Sequence, residues 1–392
     1  MGVFLRLIGA KEQLFLKVSR GGFETYSETT VPLDFDHVAV EAVLQSGRTF
    51  QRPALKLVPP IGAHRIRGAR VANYGYYPSL AVRDSFVLPW RQDSLELDLK
   101  VGSARSWVRA ARADEVLITR HPNQVNLRRA IYVGSRSPAV WAHWLINFLP
   151  TAYLASKLPS EYDDFPVLVP TNIPSDAHWI ESLNVVLNGR STVPFRPEID
   201  YTIEDLVCFD PAPVYDLPFP GDPSRRSGIW FYPEVMMDFQ QTLLTWSRAQ
   251  GAPRQGKHRR IFVARKGQKR RFNQDEAIAV AREFGFEPVY AEDLTLAEKI
   301  RLFHEAEIVI GPGGSGMANV LFCQPGATVF YWWPLPLKPS DNFDANLALV
   351  AGANLEIAAP EALSHTENGY EIHLDYLHAT IKRLASERKT RR

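Results

Sequence analysis

Residues 296–319 read LAEKIRLFHEAEIVIGPGGSGMAN, and the order of patterns in them decides the fold class. Thr295, three residues before Glu298, marks the start of a capped helix. The apolar run 306–310 that follows reads as a strand, the glycines as a turn, and the residues after them as a second, short helix. Gly311, Gly313 and Gly316 satisfy GxGxxG letter by letter. Small residues at such a turn let backbone N–H groups approach an anion, and the following helix points its positive end at the same spot. A dinucleotide fingerprint, however, should open the first βαβ unit, with an acidic residue about 20 positions on. Here the loop lies on a late strand, and the next strand ends Tyr331, Trp332, Trp333 without a carboxylate. A phosphate-facing turn of another kind fits better.

Outward from this loop the same alternation continues. Strand RRIFVA precedes helix QDEAIAVAREFG and strand EPVYA, with Asn273 three residues before Glu276 as a second capping signal, and strand ATVFYWW follows the glycines. A helix is expected over 233–249. This is the pattern of a doubly wound α/β sheet. Upstream, strands AIYVG, FPVLVP and DLVCF alternate with helical stretches AVWAHWLINFLPTAYLASKL and SDAHWIESLNVVLN, the latter opened by Ser175 or Asp176. Pro150 should end or kink the first of these helices. Before residue 130, short β-rich runs alternate with Pro, Gly and Arg clusters, and the Pro/Gly-rich stretch 210–228 reads as a linker. The expected division is a β-rich region over 1–129, one α/β lobe over 130–228, and a second over 229–392 with a C-terminal helix.

The chain has 392 residues, longer than one ordinary core serves, with 45% apolar and 22% charged side chains. Its 45 basic and 43 acidic residues lack the cationic excess of a protein held to nucleic acid by phosphates. Cys208 and Cys323 are too few for a disulfide framework or a zinc site and suit a reducing compartment, which points to the cytosol. The opening 20 residues lack a signal h-region, and no stretch offers the roughly 20 apolar residues of a membrane span. The tail HATIKRLASERKTRR reads as a helix ending in basic residues, either solvated or touching anionic lipid or glycan, the latter at the inner face of the membrane.

Two further segments carry candidate chemistry. The loop ARKGQKRRFNQ leaves the strand at Ala264 with five cations, Arg265, Lys266, Lys269, Arg270 and Arg271. At the carboxyl end of an α/β strand they suit a diphosphate, since Arg takes phosphate oxygens in bidentate fashion; the plainer alternative is a solvated basic loop with Asn273 as a helix cap. In WAHWLINFLP, His143 and Asn147 are four apart and share a helical face. His143 is either a satisfied core histidine or a proton acceptor near neutral pH.

Together, AHWLINFLPTAYL, RRIFVARKGQKRRFN and the segment from GFEPVY to GATV, in this order and spacing, resemble the family 61 glycosyltransferases over residues 130–335. The resemblance implies a GT-B-like fold with two Rossmann-like lobes. It also implies inverting transfer from a nucleotide-sugar donor, a UDP-sugar foremost, to a glycan, polysaccharide or lipid-linked acceptor, with no metal and no cofactor. His143 and Trp144 fall on the family's His-Trp pair, and Arg265, Arg270 and Arg271 on its arginines, with Asn273 on the Asn after them. Gly311, Pro312, Gly314, Gly316 and Asn319 fall on its Gly-Pro-His-Gly-x-Gly-x-x-Asn stretch. His143 is then the expected base, and Arg265, Arg270, Arg271, Gly314, Ser315, Gly316 and Asn319 the expected nucleotide-sugar contacts. Three positions depart from the pattern: Gly313 replaces the usual His, Asn147 a common acidic residue, and Tyr331 a frequent Glu. The only DxD, Asp34-Phe35-Asp36, lies far from the matched region.

Overall fold

A computed structural model of the chain describes residues 6–8, 11–19, 23–35, 38–41, 54–57, 61–73, 80–87, 108–111, 115–134, 138–210, 213–215, 229–251, 259–267, 271–333, 343–367 and 369–390. Two compact units divide it, Met1–His37 with Leu57–Ser227, and Val38–Lys56 with Gly228–Arg392. Both combine helices with sheet, an α/β architecture. Among the described residues no helix is long and apolar enough to cross a membrane.

In the first unit one sheet spans two kinds of topology. Strands Thr192–Phe195, Val167–Pro170, Gln124–Tyr132 and Asp200–Phe209 lie side by side and parallel. Asp200–Phe209 then pairs antiparallel with Gly62–Ala72, and through it the sheet continues into the β-rich N-terminal strands. The parallel part is joined by helical crossovers, as parallel pairing requires. One of these holds Trp141–His143, a π-helical turn Trp144–Phe148, and Leu149–Ala155; the other is Ala177–Leu187, with Asp176 at its N-cap position. Trp144 is fully buried, stacks on Phe148 at 4.3 Å, and donates its indole N–H to Ser182 Oγ at 3.0 Å.

Pro150 does not end the first crossover, which continues to Ala155. Proline has no N–H for the preceding turn, and the chain widens into a π turn just before it, with Leu149 N–H reaching Trp144 O.

The second unit holds a parallel five-stranded sheet in the order Glu287–Tyr290, Arg259–Ala264, Ala306–Pro312, Thr328–Trp332, Asn354–Ile357. The first and third strands of the chain order are therefore neighbours at the centre, where the winding direction reverses. Side chains alternate across the strands. Phe262, Ala264, Ile308, Ile310, Phe330 and Trp332 form one core with helices Gln274–Glu283 and Leu374–Thr390. The intervening Ile261, Val263, Val309 and Val329 are buried on the opposite face. There helices Pro233–Ala249 and Leu296–Glu305 pack on each other. The Thr295 capping box forms as its sequence demands, Thr295 Oγ1 accepting from Glu298 N–H and Thr295 N–H donating to Glu298 Oε2. Strand Val38–Glu41 also belongs to this unit, pairing Val40 with Phe231.

Cys208 and Cys323 are free and buried, and burial pushes both thiols up, Cys323 to about 12. Burial likewise raises the Asp200 carboxyl to about 6, against the N–H of His121 and the nearby Arg70 and Arg120. Because this folded value lies above the ordinary 3.8, the native state holds an extra proton between the two, and this group's contribution to stability falls as pH rises through that window. The melting temperature of the native chain should therefore fall relative to that of Asp200→Asn from about pH 4 to about pH 6, and keep a constant gap above. Calorimetry across that range checks this, and a pH-independent gap contradicts it.

Candidate functional site

Ligands of doubly wound sheets bind outside the carboxyl ends of the strands, where the winding reverses. In the second unit those ends belong to Arg259–Ala264 and Ala306–Pro312, so the basic loop and the glycine loop emerge side by side. Their close approach needs glycine. A Cβ on Gly311 would lie 2.7 Å from Val263 O, and one on Gly316 would lie 2.9 Å from Val263 Cγ1.

Arg265 links the two loops. Gln274 holds its backbone at both ends, Arg265 N–H donating to Gln274 Oε1 at 2.8 Å and Gln274 Nε2 donating to Arg265 O at 3.1 Å. The guanidinium then donates through Nη2 to the carbonyl of Gly313. One of its N–H groups is thus spent on orientation.

Within the glycine loop, Gly313 N–H donates to Trp332 O at 2.8 Å, and Gly314 N–H to the buried Asp344 carboxylate at 3.2 Å. Gly314 has φ +140°, a conformation that side chains rarely adopt. Ser315 and Gly316 are partly exposed, and their N–H groups have no acceptor among the described residues. Asn319 is fully buried, and its amide donates to Gly316 O at 2.8 Å, so it shapes the turn from beneath.

Arg265 also lines a cavity of about 450 Å³ together with Arg271, Asn273, Glu276, Thr366 and Glu371. One wall is the basic loop and the other the hairpin Leu363–Thr366 with Gly369–Ile372. Tyr370 N–H donates to Arg271 O at 3.0 Å, and Phe272 stacks on Tyr370 at 5.5 Å. A Cβ on Gly369 would sit 2.1 Å from Arg271 O, so this seam also requires glycine. Asn273 is not a helix cap in the side-chain sense. Its amide makes a two-point bond to the hairpin, donating to Ile372 O and accepting from Ile372 N–H, both at 2.9 Å. That outcome satisfies both amide dipoles at once, where a cap satisfies only the oxygen.

The other cations divide. Lys266 is exposed and paired with Asp293, which pushes its ammonium up, and it lies 5.7 Å from the Tyr290 ring centroid. Arg271 is exposed and has no ion-pair partner among the described residues. Arg270 and Lys269 lie outside the described residues, as does Asp36 of the DxD triplet.

His143 sits in the first unit, half-buried in the crossover after strand Gln124–Tyr132. It and Asn147 do meet on one face, Asn147 Nδ2 donating to His143 Nδ1 at 3.1 Å. Thr151 Oγ1 donates to Asn147 O at 2.9 Å. A neutral imidazole that accepts at Nδ1 carries its proton on Nε2.

Residues 141–330 match the family described as Glycosyltransferase 61. Over these residues, just under half of the chain, it is similar to glycosyltransferase family 61. That family's activity is glycosyl transfer between a sugar donor and an acceptor. No curated protein matches the chain. Among solved structures it is similar to a flavo di-iron protein mutant from Thermotoga maritima, 10% identical over 89% of this chain and 98% of that one, with a TM-score of 0.25, too low to support any structural argument.

The family 61 match contains Arg265, the glycine loop and His143, while three neighbours of the loops lie beyond it. Asp344, Trp333 and the 363–372 hairpin carry no motif, and only tertiary packing brings them in. Of the aromatic residues ending strand Thr328–Trp332, Tyr331 and Trp332 are buried. Only the next residue, Trp333, keeps partial exposure.

Replacing Asn147 by Asp puts a carboxylate against His143 and favours the imidazolium. The His143 ring resonances should then titrate at higher pH in Asn147→Asp than in the native chain. NMR titration of the ring protons checks this, and an unchanged midpoint would show that Nδ1 does not face residue 147 in solution.

Proposed function

We propose that this chain transfers a sugar from a nucleotide-diphosphate donor, a UDP-sugar foremost, to a glycan, polysaccharide or lipid-linked acceptor. The reading is an inverting single displacement without metal, on a GT-B plan in which the second unit binds the donor and the first the acceptor. The observation that carries it is the Arg265 guanidinium, set at the reversal of the sheet on Gly313 O and lining the cavity it shares with Arg271. As the glycosidic bond to the diphosphate breaks, negative charge grows on the leaving phosphate oxygens. Preorganised cations and N–H groups aimed there stabilise that charge without reorganisation. Arg265 and Arg271, with Arg270 in the same loop, supply the cations. The N–H groups of Ser315 and Gly316 supply neutral donors. Gly314 and Asn319 act on the loop's shape, Gly314 through its backbone conformation and Asn319 through its bond to Gly316.

His143 takes the proton of the acceptor hydroxyl as the new bond to the anomeric carbon forms. For this a lone pair must be free on the ring. A half turn of the Asn147 amide makes its oxygen the acceptor of Nδ1–H and puts the lone pair on Nε2. The orientation in which the amide N–H donates to Nδ1 favours a second reading, a glycosyltransferase-like protein that binds nucleotide or glycan without turnover. Location at the cytosolic side, including the inner face of the membrane, belongs to the same proposal.

A thermal-shift screen with UDP, GDP, CMP and NAD, followed by a panel of sugar donors, tests it. A nucleoside diphosphate should stabilise the chain, and Arg265→Ala should weaken its binding about 10- to 100-fold, the loss expected for charge-assisted hydrogen bonds. His143→Ala should keep that binding and lose transfer. Unchanged affinity in Arg265→Ala removes the donor-site assignment. Stabilisation by NAD alone points to an oxidoreductase. Bound nucleotide with no transfer and no donor hydrolysis selects the second reading.

A further inference from the structure

Gly313 stands where the resemblance expects a histidine, and the space such a side chain would need is already filled. A Cβ built on Gly313 would lie 2.2 Å from Cε3 and 2.7 Å from Cζ3 of Trp333, and 3.1 Å from Oδ2 of Asp344. Protein interiors do not tolerate such overlap, so a side chain at 313 and the Trp333 indole exclude one another. The sheet itself enforces the meeting. Trp333 follows directly on strand Thr328–Trp332, and Gly313 N–H is bonded to the carbonyl of Trp332, one residue earlier. Trp332 turns into the core, whereas Trp333 lies over the loop and keeps part of its surface in solvent.

We propose that Trp333 is a positioning residue for the donor diphosphate: its indole occupies the volume of the absent residue-313 side chain and fixes the Gly313 carbonyl that orients Arg265. The proposal rests on the donor-site reading above. Four of the six residues Gly311–Gly316 are glycine, which gives this loop much backbone freedom to lose. A rigid wall must therefore come from outside it. An indole supplies a large flat surface while losing only two side-chain torsions. With that wall in place, Gly313 O is held beneath the Arg265 guanidinium, and Gly314 N–H against Asp344.

The test is a cycle of Gly313→Ala, Trp333→Ala and the double variant, with Trp333→Phe as the conservative control. Melting temperature is read without ligand, and UDP affinity is read by calorimetry, with GDP in its place if the screen selects it. Gly313→Ala should lower the melting temperature, and the double variant should recover part of that loss, because the methyl enters the space the indole left. Trp333→Ala should weaken nucleotide binding about tenfold or more by releasing Arg265, and Trp333→Phe should stay within about threefold of the native chain. Additive melting shifts overturn the packing exchange. Native affinity in Trp333→Ala overturns the positioning role. A native chain that binds no nucleoside diphosphate removes the donor reading and the diphosphate role with it, while the melting cycle still decides whether 313 and 333 share one volume.

Discussion

The guanidinium of Arg265 on the carbonyl of Gly313 ties together the two loops that a doubly wound sheet brings to its reversal point. Everything near it follows from keeping that contact. Gln274 pins the Arg265 backbone from the first turn of its helix, so the side chain leaves the strand end in one direction. Gly311 and Gly316 let the neighbouring loop run against Val263, where any side chain would force the strands apart. In the proposed function this oriented cation is the group that meets the donor diphosphate.

The hydrogen-bond accounting of the glycine loop explains how it is divided between structure and chemistry. The N–H groups of Gly313 and Gly314 are committed inward, to Trp332 O and to Asp344. The next two, on Ser315 and Gly316, have no acceptor among the described residues, and the proposed function gives them to the ligand. Asn319 and Trp333 brace the turn, the first from below through Gly316 O and the second by packing on Gly313. The basic loop is anchored on its other side by Asn273 and Arg271 to the hairpin of residues 363–372, so both walls of the cavity are held by backbone pairing.

Much of this was legible in the sequence, because the deciding signals are local. The Thr295 capping box, the strand and glycine order, and the His143–Asn147 spacing depend on residues a few positions apart, and each appears as read. Asn273 looked like a cap for the same local reason. Its actual partner, Ile372, lies 99 residues away, beyond the reach of any pattern rule. Pro150 shows a different limit: the sequence marks a lost donor but not how the chain absorbs it, and a π turn does so without ending the helix. Asp344 was invisible as a site residue since nothing in its own neighbourhood distinguishes it from ordinary core, and Trp333 was legible only as an aromatic strand end, either core or a stacking surface.

The most direct test is a crystal structure with the nucleoside diphosphate that the binding screen selects. The account predicts the diphosphate within hydrogen-bond distance of the Arg265 guanidinium and the N–H groups of Ser315 and Gly316, with Gly313 O still bound to Arg265. A diphosphate seated elsewhere in the chain, with Arg265 untouched, would contradict it.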